Sequence, residues 1–367
     1  MEKPVFVGKG TFGCVYKPDI PCSNQKPKLH HPWATVFVSK IQNNSSETTA
    51  NETTMGKLIQ TIPHYPRFFA PITIECHVNL SRIEDEELQK CDVLGHVNHD
   101  QSSQFMSTQL RYVGIHDLAS YMFTKLHNPV LFYKRLLETH HHLLQALEKL
   151  DEHHLVHYDL HNGNIMMDQN YGVPIIIDFG LSFDTTKITY LEFYSFYPKH
   201  PIWPIEVVFL SYLNKRLLHK THWEEGINVN QLALSSSEII PIKDLVMILK
   251  YMIAQNEVFM YVNADDTQKF ETAVTTYLEE RKETTVEVFM KTLVTDLSST
   301  WDNYGIAVTY LFVIHDAKHQ VTNGTNPSVL DTEQGRSYQQ LLCDIITTFP
   351  NRPTAGGTKG TYYLNSA

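Results

Sequence analysis

The stretch at residues 155–182, LVHYDLHNGNIMMDQNYGVPIIIDFGLS, constrains this chain more than any other part of it. It contains an HxDxxxxN pattern, with Asp159 and Asn164, followed by Asp178 in a DFG triplet. The apolar runs between them flank a Tyr-Gly turn, which is typical of two short strands. Phosphoryl transfer needs a carboxylate near the acceptor hydroxyl, and a carboxylate with an amide to hold Mg²⁺. The stretch supplies all three groups.

A glycine-rich stretch close to the first residue, VGKGTFGCV at 7–15, has the spacing GxGxxGxV. Alone this pattern is a weak signal, because a flexible hairpin can match it by chance. Together with Asp159 and Asp178 it predicts a loop over nucleotide phosphates.

Composition excludes several classes of protein. A chain of 367 residues, 42% of them hydrophobic, can bury a large core in one large or two-lobed domain. A net charge of -10 argues against nucleic acid or an anionic membrane as the main partner. No apolar run approaches the roughly 20 residues that span a bilayer, and the N-terminus has no leader pattern, so a cytoplasmic location is expected.

The cysteines and the histidine runs predict neither disulfides nor a metal site. Five cysteines without CxxC spacing indicate reduced thiols, and Cys14 is interpreted as an unreactive small residue. The histidines at 140–142 and 153–154 fall on or beside one amphipathic helix, with no carboxylate or thiol partner evident in the sequence.

The order of the patterns predicts strands first and helices later. Short alternating segments such as ATVFVSKI fill the first 110 residues, with one helix at TANETTMGKLIQTI. Helical spacing begins near residue 117 and is clearest at Phe132, Leu136, Leu143, Leu147 and Leu150. The boundary is predicted at 112–116.

With these motifs, the chain resembles eukaryotic-type protein kinases, most of all the divergent serine/threonine kinases of large DNA viruses. The resemblance implies an α+β, bilobal fold, with a small β-rich N-lobe containing one main helix and a larger, mainly helical C-lobe. It implies a kinase domain at 1–354, divided into lobes at about 1–114 and 115–354. Insertions are expected near 18–34 and 212–240, and a mobile tail at 355–367.

The resemblance also implies roles for individual residues. Asp159, Lys40 and His161 are the implied catalytic residues, and Asn164 and Asp178 the implied metal ligands. Lys40 would hold phosphates and pair with Glu52, which is favoured over Glu47 because an apolar helix face follows it. The implied nucleotide-binding residues are Gly8, Lys9, Gly10, Thr11, Phe12, Gly13, Val15, Lys40, Glu52, and the hinge residues Leu110, Arg111, Tyr112 and Val113.

Three later segments extend the resemblance. HPIWPIEVVFL is similar to the end of an activation segment, with Pro204 and Glu206. IKDLVMILKYM is similar to a buried central helix, whose Asp244 would hydrogen-bond the catalytic-loop backbone. FPNRPTA is similar to a late Arg-Pro-Thr element, in which Arg352 would pair with Glu206.

Two residues depart from the family pattern. Tyr158 stands where many protein kinases have an arginine that reads an activation-loop phosphate, so phosphorylation there is not expected to be required. His161 stands where serine/threonine kinases have lysine, and HxDLHxGN is also the pattern of aminoglycoside and choline phosphotransferases. These small-molecule enzymes, and a catalytically weak pseudokinase scaffold, are the alternative interpretations.

The implied activity is ATP- and Mg²⁺-dependent phosphorylation of Ser/Thr hydroxyls on protein substrates, with Mn²⁺ as an alternative metal. The expected protein is a monomer with no membrane partner. If the viral resemblance holds, its location would be the host cytoplasm or a virion.

Overall fold

The structure is a computed structural model that describes residues 3–10, 13–22, 36–43, 47–94, 99–187, 193, 195–219, 227, 229–320 and 328–366. These residues form two compact units. The first comprises residues 1–115 and 166–182, and the second comprises 116–165 and 183–367. Most of the predicted insertion at 18–34 lies outside the described residues.

The first unit is built on a five-stranded antiparallel sheet in the order β1-β2-β3-β5-β4. Its strands are β1 (Val5–Gly10), β2 (Gly13–Lys17), β3 (Phe37–Asn43), β4 (Ile72–His77) and β5 (Phe105–Arg111). Its helices are α1 (Glu47–Ile59), α2 (Asp85–Leu88) and 3-10 turns at Tyr65–Arg67, Leu80–Arg82 and His99–Gln104. The predicted single main helix is therefore α1.

Residues 166–182 join this unit through backbone hydrogen bonds. They carry most of β7 (Ile165–Met167) and all of β8 (Pro174–Ile176), which pair as a two-stranded sheet. The Ala70 N–H donates to the Ile176 carbonyl at 3.0 Å, and the Ile176 N–H donates to the Phe68 carbonyl at 2.9 Å. The end of this segment, which carries Asp178, is thus fixed to the unit that carries Lys40.

Four of the five cysteines form disulfides in the first unit, so the prediction of reduced thiols is wrong for them. Cys14 is bonded to Cys91 and Cys22 to Cys76, whereas Cys343 is a free thiol. The partners are 77 and 54 residues apart in sequence, and their Cα atoms lie 6.0 and 5.5 Å apart. Only the tertiary fold brings them together, so spacing could not reveal the pairs. Paired cysteines do not indicate a reducing compartment.

The second unit is mainly helical. Its helices are α3 (Leu118–Phe123), α4 (Pro129–Glu152), α5 (Ile205–Leu217), α6 (Ile242–Gln255), α7 (Ala264–Glu279), α8 (Val286–Leu297), α9 (Trp301–Gln320), α10 (Glu333–Thr347) and α11 (Ala355–Ser366). Strands β6 (Leu155–Val156) and β9 (Phe183–Asp184) pair antiparallel. Short 3-10 turns lie at Asn162–Asn164, Glu257–Met260, Ser298–Thr300 and Ser328–Asp331.

Helix α4 begins where local chemistry favours it. The Asn128 side chain accepts the Leu131 N–H, and Pro129 occupies the first turn, where its missing N–H costs nothing. All five predicted core positions of this helix are buried, which confirms the helical spacing: Phe132, Leu136, Leu143, Leu147 and Leu150. The predicted α+β class, with a β-rich N-terminal part and a larger helical C-terminal part, is confirmed.

Two predictions in this unit are corrected. Asp244 lies on α6 and is engaged by Tyr212, whose hydroxyl donates to it at 2.6 Å, and by Arg216 at 3.2 Å. The buried central helix is α9, which is buried along most of its length. The predicted mobile tail forms α11, with Thr358 fully buried and accepting a hydrogen bond from Asn303.

His140, from the first histidine run, is a buried core residue. It stacks on Tyr310 with ring centroids 4.6 Å apart, and its Nδ1 lies 2.9 Å from the Tyr338 hydroxyl. Burial, with a smaller contribution from His141, lowers the pKa of His140 to about 3. No cluster of potential metal ligands occurs among the described residues.

This buried histidine predicts acid sensitivity. The unfolded chain binds a proton at His140 below about pH 6.5, whereas the folded protein does not until about pH 3. Stability therefore falls as the pH falls through this window, by up to about 4 to 5 kcal/mol at its lower end. Urea unfolding of wild type, His140→Gln and the exposed control His127→Gln at pH 7, 5 and 4 tests this. The pH slope should flatten only in His140→Gln, and equal slopes in all three would contradict the prediction.

Candidate active site

A buried lysine between two carboxylates is the centre of the candidate site in the first unit. Lys40 Nζ lies 2.9 Å from Glu52 Oε2 and 3.0 Å from Asp178 Oδ1. Gln42 Nε2 donates to the same Glu52 oxygen at 2.9 Å. Lys40 comes from β3 and Glu52 from α1, and it is Glu52 that the structure pairs with Lys40. The alternative, Glu47, is the first residue of α1.

The charge state of this group follows from its neighbours. Burial lowers the pKa of Lys40, but the carboxylates of Glu52 and Asp178 outweigh burial and raise it. Burial also raises the pKa of Glu52, against the attraction of Lys40. The raised pKa of Lys40 sets the charge of the group. Because two carboxylates lie within 3.0 Å of its Nζ atom, Lys40 is a charged ammonium at neutral pH.

Asp178 sits in a backbone conformation that is uncommon for residues with a side chain. Its φ is 59°, in the left-handed region. The residues after Asp178 are held by contacts within the first unit. Phe179 packs edge-on against Phe69, with ring centroids 6.0 Å apart. Asn51 Nδ2 donates to the carbonyls of Gly180 at 2.9 Å and Ser182 at 2.8 Å. Asn51 was not predicted from the sequence, although it immediately precedes Glu52 on α1.

The glycine-rich stretch forms the β1–β2 hairpin. Gly8 faces Val15, Lys9 faces Cys14, and Gly10 faces Gly13. A Cβ on Gly13 would lie 2.3 Å from the Ile41 carbonyl oxygen, so this position requires glycine. Val15 is the register partner of Lys40, which places it next to the buried lysine. Lys9 makes an exposed ion pair with Asp92, and Thr11 and Phe12 lie outside the described residues.

The predicted hinge residues lie at the end of β5. Leu110 is the last residue of β5 but one and pairs with Val38 and Ile72. The Arg111 side chain makes an ion pair with Asp168 at 3.0 Å and donates to the Pro66 carbonyl, so this side chain has a structural role. The Tyr112 N–H donates to Val36, and Val113 is buried.

In the second unit, the loop that carries Asp159 is held by a buried carboxylate. Asp302, on α9, accepts the backbone N–H groups of His157 at 2.7 Å and Tyr158 at 2.9 Å. Burial raises the pKa of Asp302, and His157 and the two N–H donors oppose that rise. This is the role that was predicted for Asp244. The sequence feature that points to Asp302 is WDNYG, in which an Asp and a Gly stand at the start of a long apolar helix.

A glycine in the same helix allows α9 to pack closely against the loop. A Cβ on Gly305 would lie 2.8 Å from the Leu160 carbonyl oxygen, so α9 can approach the loop only with glycine at this position. Helix α9 therefore packs directly against the backbone of the loop.

Tyr158, at the position where the family pattern has an arginine, packs among aromatic rings. Its φ is 71°, and its carbonyl accepts Trp203 Nε1 at 3.0 Å. Its ring contacts four others, with centroids 5.3 to 6.3 Å apart: Phe183, Phe193, Trp203 and Trp301. We call these five rings the aromatic cluster. Phe183 and Trp203 lie at the two ends of the segment between β9 and α5, Phe193 lies within it, and Trp301 is the first residue of α9.

Asp159 and Asn164 are brought together by the short turn that separates them. Asn164 Nδ2 donates to the Asp159 carbonyl at 2.8 Å and lies 3.3 Å from its Oδ2. This orientation directs the Asn164 amide nitrogen toward Asp159. His161 Nδ1 accepts the Gly163 N–H at 3.0 Å, so its neutral ring carries the proton on Nε2, which lies 3.7 Å from Asp159 Oδ2.

A buried ion pair anchors the segment that follows. Arg352 forms an ion pair with Glu206, the second residue of α5, which begins immediately after Pro204. Both side chains are almost fully buried. The guanidinium also donates to the Ile345 carbonyl at 3.0 Å and to Thr300 Oγ1 at 3.1 Å. The predicted pairing of these two residues is confirmed.

Comparison with protein-family models identifies the family of this chain. A family model described as protein tyrosine and serine/threonine kinase matches residues 4–203. No curated protein matches the chain. Within the part of the chain that the structure describes, no helix combines the length and apolar character needed to cross a membrane.

Proposed function

Because this chain belongs to the protein tyrosine and serine/threonine kinase family, we propose that it transfers the γ-phosphate of Mg-ATP to Ser/Thr hydroxyls of protein substrates. Membership of the family implies ATP, a divalent metal and protein substrates in general. The observation that carries the proposal is the Lys40 ammonium, buried and held between Glu52 and Asp178. A buried lysine paired with two carboxylates is costly unless it serves a function or a specific structure.

The first unit supplies the groups for nucleotide phosphates. The Lys40 ammonium would bind phosphate oxygens, and Glu52 fixes the position of its Nζ atom. Of the implied nucleotide contacts, those at 8–10 lie on β1, and those at 13 and 15 lie on β2. Leu110 and Arg111 end β5, and Tyr112 and Val113 follow it. Because the Arg111 side chain binds Asp168, this residue would present only its backbone to an adenine ring.

Asp178, from the first unit, and Asn164, from the second, are the residues that would hold a magnesium ion. Both offer hard oxygen atoms, a carboxylate and an amide carbonyl, which are the ligands that Mg²⁺ or Mn²⁺ prefers. When bound, the metal neutralises charge on the phosphates. The amide of Asn164 is already oriented by its bonds to Asp159.

Asp159 would accept the proton of the acceptor hydroxyl. Its side chain is about one quarter exposed, so a substrate can reach the carboxylate. Asn164 and His161 both face its Oδ2 atom, at 3.3 and 3.7 Å, and fix one side of the carboxylate. His161 Nε2 would add a hydrogen-bond donor beside the transferred phosphate.

A small-molecule phosphotransferase remains the second candidate, because HYDLHNGN matches the pattern of those enzymes. The buried Glu206–Arg352 pair favours the protein-kinase proposal, since the resemblance to protein kinases implied this pair.

An acceptor competition tests the proposal. Purified protein is incubated with γ-labelled Mg-ATP and a mixture of protein substrates, choline and aminoglycosides, followed by phosphoamino-acid analysis. We expect phosphoserine and phosphothreonine. Label confined to the small molecules would support the second candidate, and label confined to tyrosine would overturn the Ser/Thr proposal.

We expect activity without phosphorylation between residues 181 and 203. At the position of the usual phosphate-binding arginine, the Tyr158 ring instead packs against Phe183, Phe193 and Trp203 of this segment, and these contacts need no phosphate. Phosphatase-treated protein, verified by mass spectrometry, should keep its full rate of transfer. The prediction fails if treated protein is inert and a phosphate added in 181–203 restores it.

The kinase domain would span 1–354. The protein would act as a monomer, and its cytoplasmic location stays a prediction. The similarity to divergent viral kinases, with a location in host cytoplasm or virion, stays a prediction.

A further inference from the structure

The carboxylate of Asp159 has a second histidine neighbour, which the sequence motifs did not include. His200 Nε2 lies 3.8 Å from Asp159 Oδ1. Asn164 and His161 face the other oxygen, Oδ2. Each carboxylate oxygen therefore has its own neighbours, and His200 is the neighbour of Oδ1.

The His200 ring is fixed by aromatic neighbours. Its edge packs against Trp203 with centroids 4.6 Å apart, and it stacks on Tyr197 at 5.9 Å. Trp203 in turn donates its Nε1 hydrogen to the carbonyl of Tyr158, the residue before Asp159. The histidine and the aspartate are thus anchored to the same piece of backbone.

The backbone of His200 is held by a buried side chain from the helical region between α6 and α7. Asn256 Nδ2 donates to the carbonyls of Pro198 at 3.1 Å and His200 at 3.2 Å, and its Oδ1 accepts the Val258 N–H at 3.1 Å. Asn256 is almost fully buried. All these amide contacts are made to backbone, so they do not depend on the sequence of the segment that carries His200.

We propose that His200 is a positioning residue that holds Oδ1 of Asp159, and that Asn256 keeps His200 in place. This inference rests on the proposed function. A carboxylate with a neighbouring side chain at each of its two oxygens keeps one orientation toward the acceptor hydroxyl. Proton acceptance requires this orientation of the Asp159 carboxylate. Without His200 the carboxylate can rotate about its Cβ–Cγ bond and lose it.

Three variants and one control test the inference. His200→Leu removes the polar ring at similar size, His200→Gln keeps a polar donor, and Asn256→Ala releases the backbone. The control, His127→Leu, alters an exposed histidine of the same unit. We expect kcat to fall about 10- to 100-fold in His200→Leu and Asn256→Ala, with KM for ATP unchanged. His200→Gln should recover most of the loss, and the control should match wild type.

A second readout does not depend on activity. The imidazole proton resonance of His200, assigned with His200→Gln, should shift in Asp159→Asn, while that of His127 stays in place. A common shift of KM and kcat, no recovery in His200→Gln, or an unmoved His200 resonance would overturn the positioning role.

The two proposals fail differently. Wild-type protein that transfers no phosphate overturns the proposed function, and with it the inference. Wild-type protein that transfers phosphate, with His200→Leu equally fast, overturns the inference alone.

Discussion

Asp159→Asn is expected to lower kcat by about 10²- to 10⁴-fold, the usual contribution of a positioned general base. Asparagine keeps the size of the side chain and can still contact Asn164, but it cannot accept the hydroxyl proton. Thermal stability and affinity for Mg-ATP should stay at the wild-type values, because Asp159 is partly exposed and its loop is held by Asp302.

The matched control is Asp316→Asn, an exposed carboxylate on α9 of the same unit. Steady-state kinetics with a protein acceptor measure both variants. A rate for Asp159→Asn equal to that of Asp316→Asn would remove Asp159 from the reaction.

Arg352→Met is expected to cost about 3 to 5 kcal/mol of unfolding free energy, because it leaves the Glu206 carboxylate buried without its partner. Methionine fills much of the space but donates no hydrogen bonds to Glu206, Thr300 or the Ile345 carbonyl. The double variant Glu206→Gln with Arg352→Met should lose less than the sum of the two single changes, since no charge is then stranded.

Denaturant unfolding of the single and double variants gives these values. Arg135→Met, which breaks an exposed ion pair with Glu138, is the control and should cost about 1 kcal/mol or less. A loss in Arg352→Met no larger than in Arg135→Met would show that the buried pair does not stabilise the fold.

The parts of the site that the sequence could predict are those whose residues are close in sequence or act through a fixed strand register. Asp159 and Asn164 are five residues apart, and one turn brings them together. Lys40 on β3 and Glu52 on α1 are twelve apart, and the apolar face of α1 sets which side of the helix meets the strand.

The parts that the sequence could not predict depend on distant pairings. Asp244 and Asp302 both open apolar helices, and only the tertiary fold shows that Asp302 receives the loop N–H groups. The Cys14–Cys91 disulfide joins residues 77 positions apart because the segment around α2 packs onto the sheet. The Cys22–Cys76 disulfide joins the chain after β2 to β4, 54 positions away. Asn256 reaches His200 from a helical region for which no motif was recognised.

The most direct test of the account combines binding and transfer in the same samples. Affinity for Mg-ATP is measured by calorimetry for wild type and Asp159→Asn, and each sample is then given one equivalent of γ-labelled Mg-ATP with a protein acceptor. The account predicts equal dissociation constants, and labelled protein from wild type alone. Absence of Mg-ATP binding, or equal label from both samples, would contradict it.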